Sequence, residues 1–305
     1  DLTGLPARRP DTGTGETAWI DQNTVRVSDA PGDLYTLPRT SFFTNLATLY
    51  ARYDALVSAH PAYITKSSLG QDGLGNHIYQ YVFAPPVSRI TAPGGAGSDW
   101  SASDVAKPKV VLMSGLHGSE RTAQMGTLIF ATNLAQNWRK DQMYGRLRWG
   151  ANIVIIPAAV PSGVDAGTRP NHNGVDINRN ANYLWGDFGE TEPGGNQYIG
   201  PSAASEAETV ILQGLPSVHP DACAVIDHHN HEEPQIVWFG TTSPDARDLC
   251  VEVAGDLTGF THREVSGSAT DEADTSDWQT KAIPGNVVGH IYATGGMDAV
   301  YAEEP

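Results

Sequence analysis

Three short runs constrain the fold of this sequence more than anything else in it: Lys109-Val110-Val111-Leu112-Met113, Ile153-Val154-Ile155-Ile156 and Ala222-Cys223-Ala224-Val225-Ile226. Each is almost wholly apolar, as expected of a strand covered on both faces; a half-exposed strand would alternate with polar residues. Segments of helical periodicity separate them, from about Thr122 to Trp138 and from Ser205 to Leu215, and Ser243-Pro244 opens another that carries Leu249, Val253 and Leu257. Strands and helices in this order predict an α/β fold: a single domain with a mixed, mostly parallel twisted sheet and helices on both faces. Upstream, a helix is predicted from a Ser41 cap, with Leu46, Leu49, Tyr50, Tyr53, Leu56 and Val57 on one face, ending at His60-Pro61. Two strands, Ala62 to Leu69 and His77 to Ala84, flank a Gly/Asp/Asn-rich hairpin turn. Residues 1–34 are rich in Thr, Gly, Pro and Asp and show no periodicity, so they read as an extension ahead of one domain spanning 35–305.

Charge narrows the function. With 19 Lys+Arg against 35 Asp+Glu, the net charge is −16. A chain this acidic, with no basic stripe, is repelled by nucleic acid and by anionic membrane surfaces. No run approaches the roughly eighteen apolar residues of a membrane span. The start, Asp1-Leu2-Thr3-Gly4, is no signal peptide, although a mature chain whose export signal had been removed would begin in the same way. Two cysteines, Cys223 and Cys250, exclude a disulfide scaffold and a four-cysteine zinc cluster; they fit one bridge or two buried thiols equally well.

In sheets of this type ligands gather beyond the carboxyl ends of strands. Three polar segments occupy such places. Directly after the first apolar run comes Gly115-Leu116-His117-Gly118-Ser119-Glu120, where His117 and Glu120 are spaced so that an imidazole and a carboxylate reach one metal ion if the chain turns into a helix. The second is Arg169-Pro170-Asn171-His172-Asn173-Gly174-Val175-Asp176-Ile177-Asn178-Arg179-Asn180; its two arginines and amides suit a substrate carboxylate, or else a loop stitched by structural Arg–Asp pairs. The third is Asp227-His228-His229-Asn230-His231. Strand alternation puts Asp227 and His229 on one face and His228 on the other, which makes His229 the better ligand; one tetrahedral site needs only one further imidazole, which leaves His228 and His231 to packing or solvent.

Taken together, these segments, with Tyr198-Ile199-Gly200-Pro201 and Ser205-Glu206-Ala207-Glu208 between the second and third, resemble the zinc metallocarboxypeptidase family in order and spacing from about Tyr35 onward. The Gly174–Asn180 run carries more weight than the His-x-x-Glu pair. The resemblance implies one Zn2+ held by His117, Glu120 and His229, with Asp176 hydrogen-bonding His117, Arg169 stabilising a tetrahedral oxyanion, and Asn178 and Arg179 gripping the substrate's terminal carboxylate. It also implies a general base on a late strand. Val300-Tyr301-Ala302-Glu303-Glu304 fits that place; alternation admits only one of the two acids, and motif alignment favours Glu303 over Glu304. The implied activity is hydrolysis of the C-terminal peptide bond by promoted-water attack, by a secreted, extracellular monomer acting on peptides with a free C-terminal carboxylate.

Some features depart from the family pattern. The sequence stops at Pro305, where the family has a further helix, so additional chain or the N-terminal extension is expected to cover that face. The family's loop tyrosine has no counterpart upstream of Asp277-Trp278, leaving Tyr292 and Tyr301 as substitutes. Asp271, Glu272, Asp274 and Asp277 fall in the family's specificity region and read either as a solvated loop or as a preference for basic side chains. Two rival readings stay open: a zinc amidohydrolase acting on another carboxylate-bearing amide, such as an N-acyl amino acid or a cell-wall stem peptide, and a catalytically silent peptide-binding module of the same fold.

Overall fold

A computed structural model describes residues 43–84, 107–230, 235–239, 261–265, 285–295 and 298–304. The N-terminal extension, the proposed helix after Ser243, His231 and the acidic 271–277 stretch lie outside these residues. Eight strands form one sheet in the order β1-β2-β4-β3-β5-β8-β6-β7: β1 Ile64–Gln71, β2 His77–Phe83, β3 Lys109–Ser114, β4 Asn152–Ile156, β5 Ala222–Asn230, β6 Gln235–Phe239, β7 Thr261–Val265 and β8 Asp298–Glu304. The pairs β3–β4, β3–β5, β5–β8 and β6–β7 are parallel; β1–β2, β2–β4 and β6–β8 are antiparallel. The expected mixed, mostly parallel sheet is therefore present.

The continuous apolar runs are explained by what covers them. On β4, Ile153 and Ile155 pack into a core with helices α1 (Leu46–Ala59), α2 (Arg121–Thr132) and α3 (Gln142–Gly150). Their neighbours Val154 and Ile156 enter a second core with α5 (Ala207–Gln213), α6 (Leu215–Val218) and α7 (Val287–Gly295) on the opposite side. Alternate residues thus face different layers, and a polar side chain at any of positions 153–156 would be buried among apolar groups.

Local chemistry shifts several expected boundaries. Helix α1 begins at Asn45 rather than Ser41. Asn45 Oδ1 accepts the Thr48 backbone N–H at 3.0 Å, and Thr48 Oγ1 accepts the Asn45 N–H at 3.0 Å, a reciprocal capping box. The helix expected to run to Trp138 ends as α-helix at Thr132 and continues as a π turn, Asn133–Asn137. There the Arg148 guanidinium takes up the Leu134 and Ala135 carbonyls at 3.0 Å each, supplying donors that an α-helical ladder would have provided. Helix α3, which carries Arg148, has no strong apolar stripe, with only Tyr144 and Gly145 fully buried, and it escaped sequence reasoning. Cys223 is an exposed free thiol donating to the Lys109 carbonyl at 3.2 Å, which departs from the buried-thiol alternative, and Cys250 is outside the described residues.

Replacing fully buried Ile155 with Ala should lower unfolding free energy by roughly 2–5 kcal/mol in urea denaturation. The same change at Leu74, which is 63% exposed in the hairpin turn, should stay within about 0.5 kcal/mol.

Candidate metal centre

Strands β3 and β5 are parallel neighbours, so the segments leaving their carboxyl ends meet. After β3 the chain turns through Gly115, at φ +70°, and His117, and Glu120 occupies the cap position of α2. His117 and Glu120 therefore sit in the turn ahead of the helix rather than on its face. The approach is close: a Cβ on Gly118 would lie 2.0 Å from the Gly163 carbonyl oxygen, so only glycine lets this turn pack against α4 (Pro161–Ala166). His229 comes from the last turn of pleat in β5, which runs four residues beyond the predicted Ile226.

Among the described residues, His117, Glu120 and His229 form a group whose donor atoms all lie within 4.8 Å of one another. His117 Nδ1 is 2.6 Å from Glu120 Oε1, His229 Nδ1 is 2.8 Å from Glu120 Oε2, and the two Nδ1 atoms are 3.2 Å apart. Donors about 2 Å from one tetrahedral zinc ion stand roughly 3.3 Å from each other, so this trio needs only a small spreading to hold one. The remaining ring nitrogens settle the tautomers. His117 Nε2 donates to Asp176 Oδ1 at 3.0 Å and His229 Nε2 to Asp227 Oδ2 at 2.8 Å, which leaves both Nδ1 lone pairs turned inward in the neutral rings.

Carboxylates are concentrated at the site. Glu120, Asp176 and Asp227 contribute three carboxylates, and the guanidinium in direct contact is Arg169, which reaches Asp176 Oδ2 at 2.8 Å and Glu120 Oε1 at 3.7 Å. Burial opposes ionisation of Glu120, yet the His229 and His117 imidazoles hold its carboxyl far below the usual carboxylate range. Asp176 is also held low, His117 and Arg169 outweighing its burial. At His229 burial favours the neutral ring, but Asp227 and Glu120 reverse this and push it up to about 10.

The sequence pattern of the family described as zinc carboxypeptidase matches residues 49–304. The chain belongs to the zinc carboxypeptidase family. Among curated relatives of the family, carboxypeptidase A2 of Rattus norvegicus is 24% identical over 229 residues, covering 70% of this chain and 51% of its own length. Carboxypeptidase A1 of the same organism is 22% identical over 278 residues, covering 86% and 60%. The chain thus spans between about half and two-thirds of the length of these relatives. In fold it is similar to carboxypeptidase A from Helicoverpa armigera, with TM-score 0.64 and 19% identity over 85% of this chain and 64% of that one. It is also similar to thrombin activatable fibrinolysis inhibitor, with TM-score 0.65 and 18% identity over 86% and 66%.

The other candidate residues are distributed around this centre. Asp176 caps the 3-10 turn Ile177–Arg179, its Oδ1 accepting both His117 Nε2–H and the Asn178 backbone N–H. Asn178 is buried; Arg179 donates to the Asn178 carbonyl at 2.8 Å and its guanidinium lies 5.1 Å from the Phe188 ring centroid. In the β5–β8 register Glu303 pairs with His229 and Glu304 with Asn230. Tyr292, on α7, is partly buried against the core. His228 packs away, its Nδ1 3.1 Å from Thr127 Oγ1. Two residues were given no role from sequence. Asp227 had a signal, two positions before His229 on the same strand face. Asn286, discussed below, had none. Replacing Asp227 with Asn should weaken metal affinity about 10- to 100-fold, read by competition with a calibrated chelator, with little change in unfolding midpoint of the metal-loaded protein.

Proposed function

We propose that the chain is a zinc-dependent carboxypeptidase that removes C-terminal residues from peptides, with residues 35–305 as its catalytic unit and an extracellular setting. The observation that carries the reading is the inward convergence of two Nδ1 atoms and a carboxylate, each ring backed by a buried aspartate. His117, Glu120 and His229 would hold the zinc. When bound, zinc supplies Lewis acidity toward a carbonyl and acidifies water.

The protein's own groups do the rest. Glu303, at the register position beside His229, takes a proton from the attacking water and returns it to the leaving amine. Arg169, held against Asp176 and Glu120 and still 28% exposed, donates to the oxyanion that forms on the scissile carbonyl. Asn178 and Arg179 bind the terminal carboxylate. Because Asp176 Oδ1 joins the His117 ring to the Asn178 backbone, the carboxylate grip is held at a set distance from the metal ligands, and this spacing selects the last peptide bond.

Purified protein should bind about one zinc ion and release C-terminal amino acids. His117→Ala should lose both properties. Glu303→Gln should keep zinc and lose roughly 10²- to 10⁴-fold in kcat; full turnover in that variant would move the base to another residue. Peptides with an amidated C-terminus should be cleaved far more slowly than their free acids; equal rates would favour an amidohydrolase that ignores the terminus.

A further inference from the structure

Asn286 lies fully buried at the start of α7, and its side-chain amide bridges two elements. Its Oδ1 accepts the Gly289 backbone N–H at 2.9 Å, and its Nδ2 donates to Asn178 Oδ1 at 2.7 Å. A backbone N–H can only donate, so the first bond decides which end of the Asn286 amide is oxygen. The amino end then faces Asn178 and must meet an acceptor, which decides the orientation of the second amide as well. The Asn178 amino group is thereby turned away from Asn286, and it makes no hydrogen bond among the described residues. The backbones are joined at the same place. Ala181 N–H donates to the Gly285 carbonyl at 2.8 Å, and a Cβ on Gly285, whose φ is +76°, would lie 2.3 Å from the Arg179 carbonyl oxygen. Segment 285–286 is therefore clamped onto the turn that carries Asn178 and Arg179.

We propose that Asn286 is a positioning residue for recognition of the substrate's terminal carboxylate, a role that rests on the reading of Asn178 and Arg179 as the carboxylate grip. It locks the Asn178 amide with its N–H donors presented to the carboxylate and its oxygen withdrawn. An unlocked primary amide turns over at little cost, and the reversed form sets a carbonyl oxygen against a carboxylate. Discrimination between a free terminus and an amidated one then depends on a residue that never touches substrate.

The test uses the zinc-loaded full chain and a matched pair of peptides, one a free acid and one its amide. Asn286→Asp is close in shape and keeps the oxygen that caps α7, but its carboxylate attracts the Asn178 amino group and reverses that amide. Its KM for the acid should rise about ten- to a hundredfold, the range of a charge-assisted hydrogen bond. Its kcat, its KM for the amide and its unfolding midpoint should change little. In an Asn178→Ala background the same change should add nothing to the acid KM. Should Asn286→Asp fold poorly, Asn286→Ser keeps a capping oxygen, is too short to reach Asn178, and must give the same acid-specific rise. Equal effects on acid and amide, or an undiminished effect without Asn178, would overturn the proposal. A wild-type protein that does not distinguish acid from amide would overturn the carboxylate grip itself, and this inference with it.

Discussion

Glu120 is the group on which the site is organised. Its two oxygens are divided between rings that lie 112 residues apart in sequence, Oε1 toward His117 and Oε2 toward His229, and the Asn230 N–H donates to Oε2 at 3.2 Å. Two inward lone pairs and a carboxylate repel one another unless a cation lies among them. The donors meet because β3 and β5 are adjacent and parallel, with Val111 and Met113 of one and Val225 of the other buried in the same apolar layer. That buried layer fixes the two strand ends side by side and so sets the spacing of the donors.

From this centre order passes outward through Asp176. One carboxylate orients the His117 ring, caps the turn of Asn178 and Arg179, and holds the Arg169 guanidinium. The His117 ring, the Arg169 guanidinium and the Asn178–Arg179 turn are thus joined through one carboxylate. Asp227 does for His229 what Asp176 does for His117, so each imidazole is backed by a buried carboxylate that fixes its orientation. Segment 285–286 approaches the unit from the far side of the chain and leads through α7 into β8, the strand that carries Glu303 in register with His229.

Much of this was legible beforehand where the physical signal is local. Apolar runs announced β3, β4 and β5, and strand alternation singled out His229 from its neighbour His228, whose ring packs against Thr127. Boundaries were less legible, because caps compete: Asn45 with Thr48 offers a reciprocal box that Ser41 alone did not. Helix α3 and the π turn before it were missed because one arginine joins them, a contact that leaves no periodicity. Asn286 was invisible for a similar reason, since an asparagine before a helix reads as a cap and nothing in its neighbours points to Asn178.

The sequence by itself determined the α/β layering, the family and the identity of the donor residues, because burial pattern and motif spacing are properties of short segments. Only the tertiary structure decided which nitrogen of each imidazole turns inward, that a second aspartate backs the second ring, and which way the Asn178 amide faces. Those are choices between near-degenerate orientations of the same side chain. Partners tens or hundreds of residues away resolve them, and neither composition nor local spacing records where those partners come to rest.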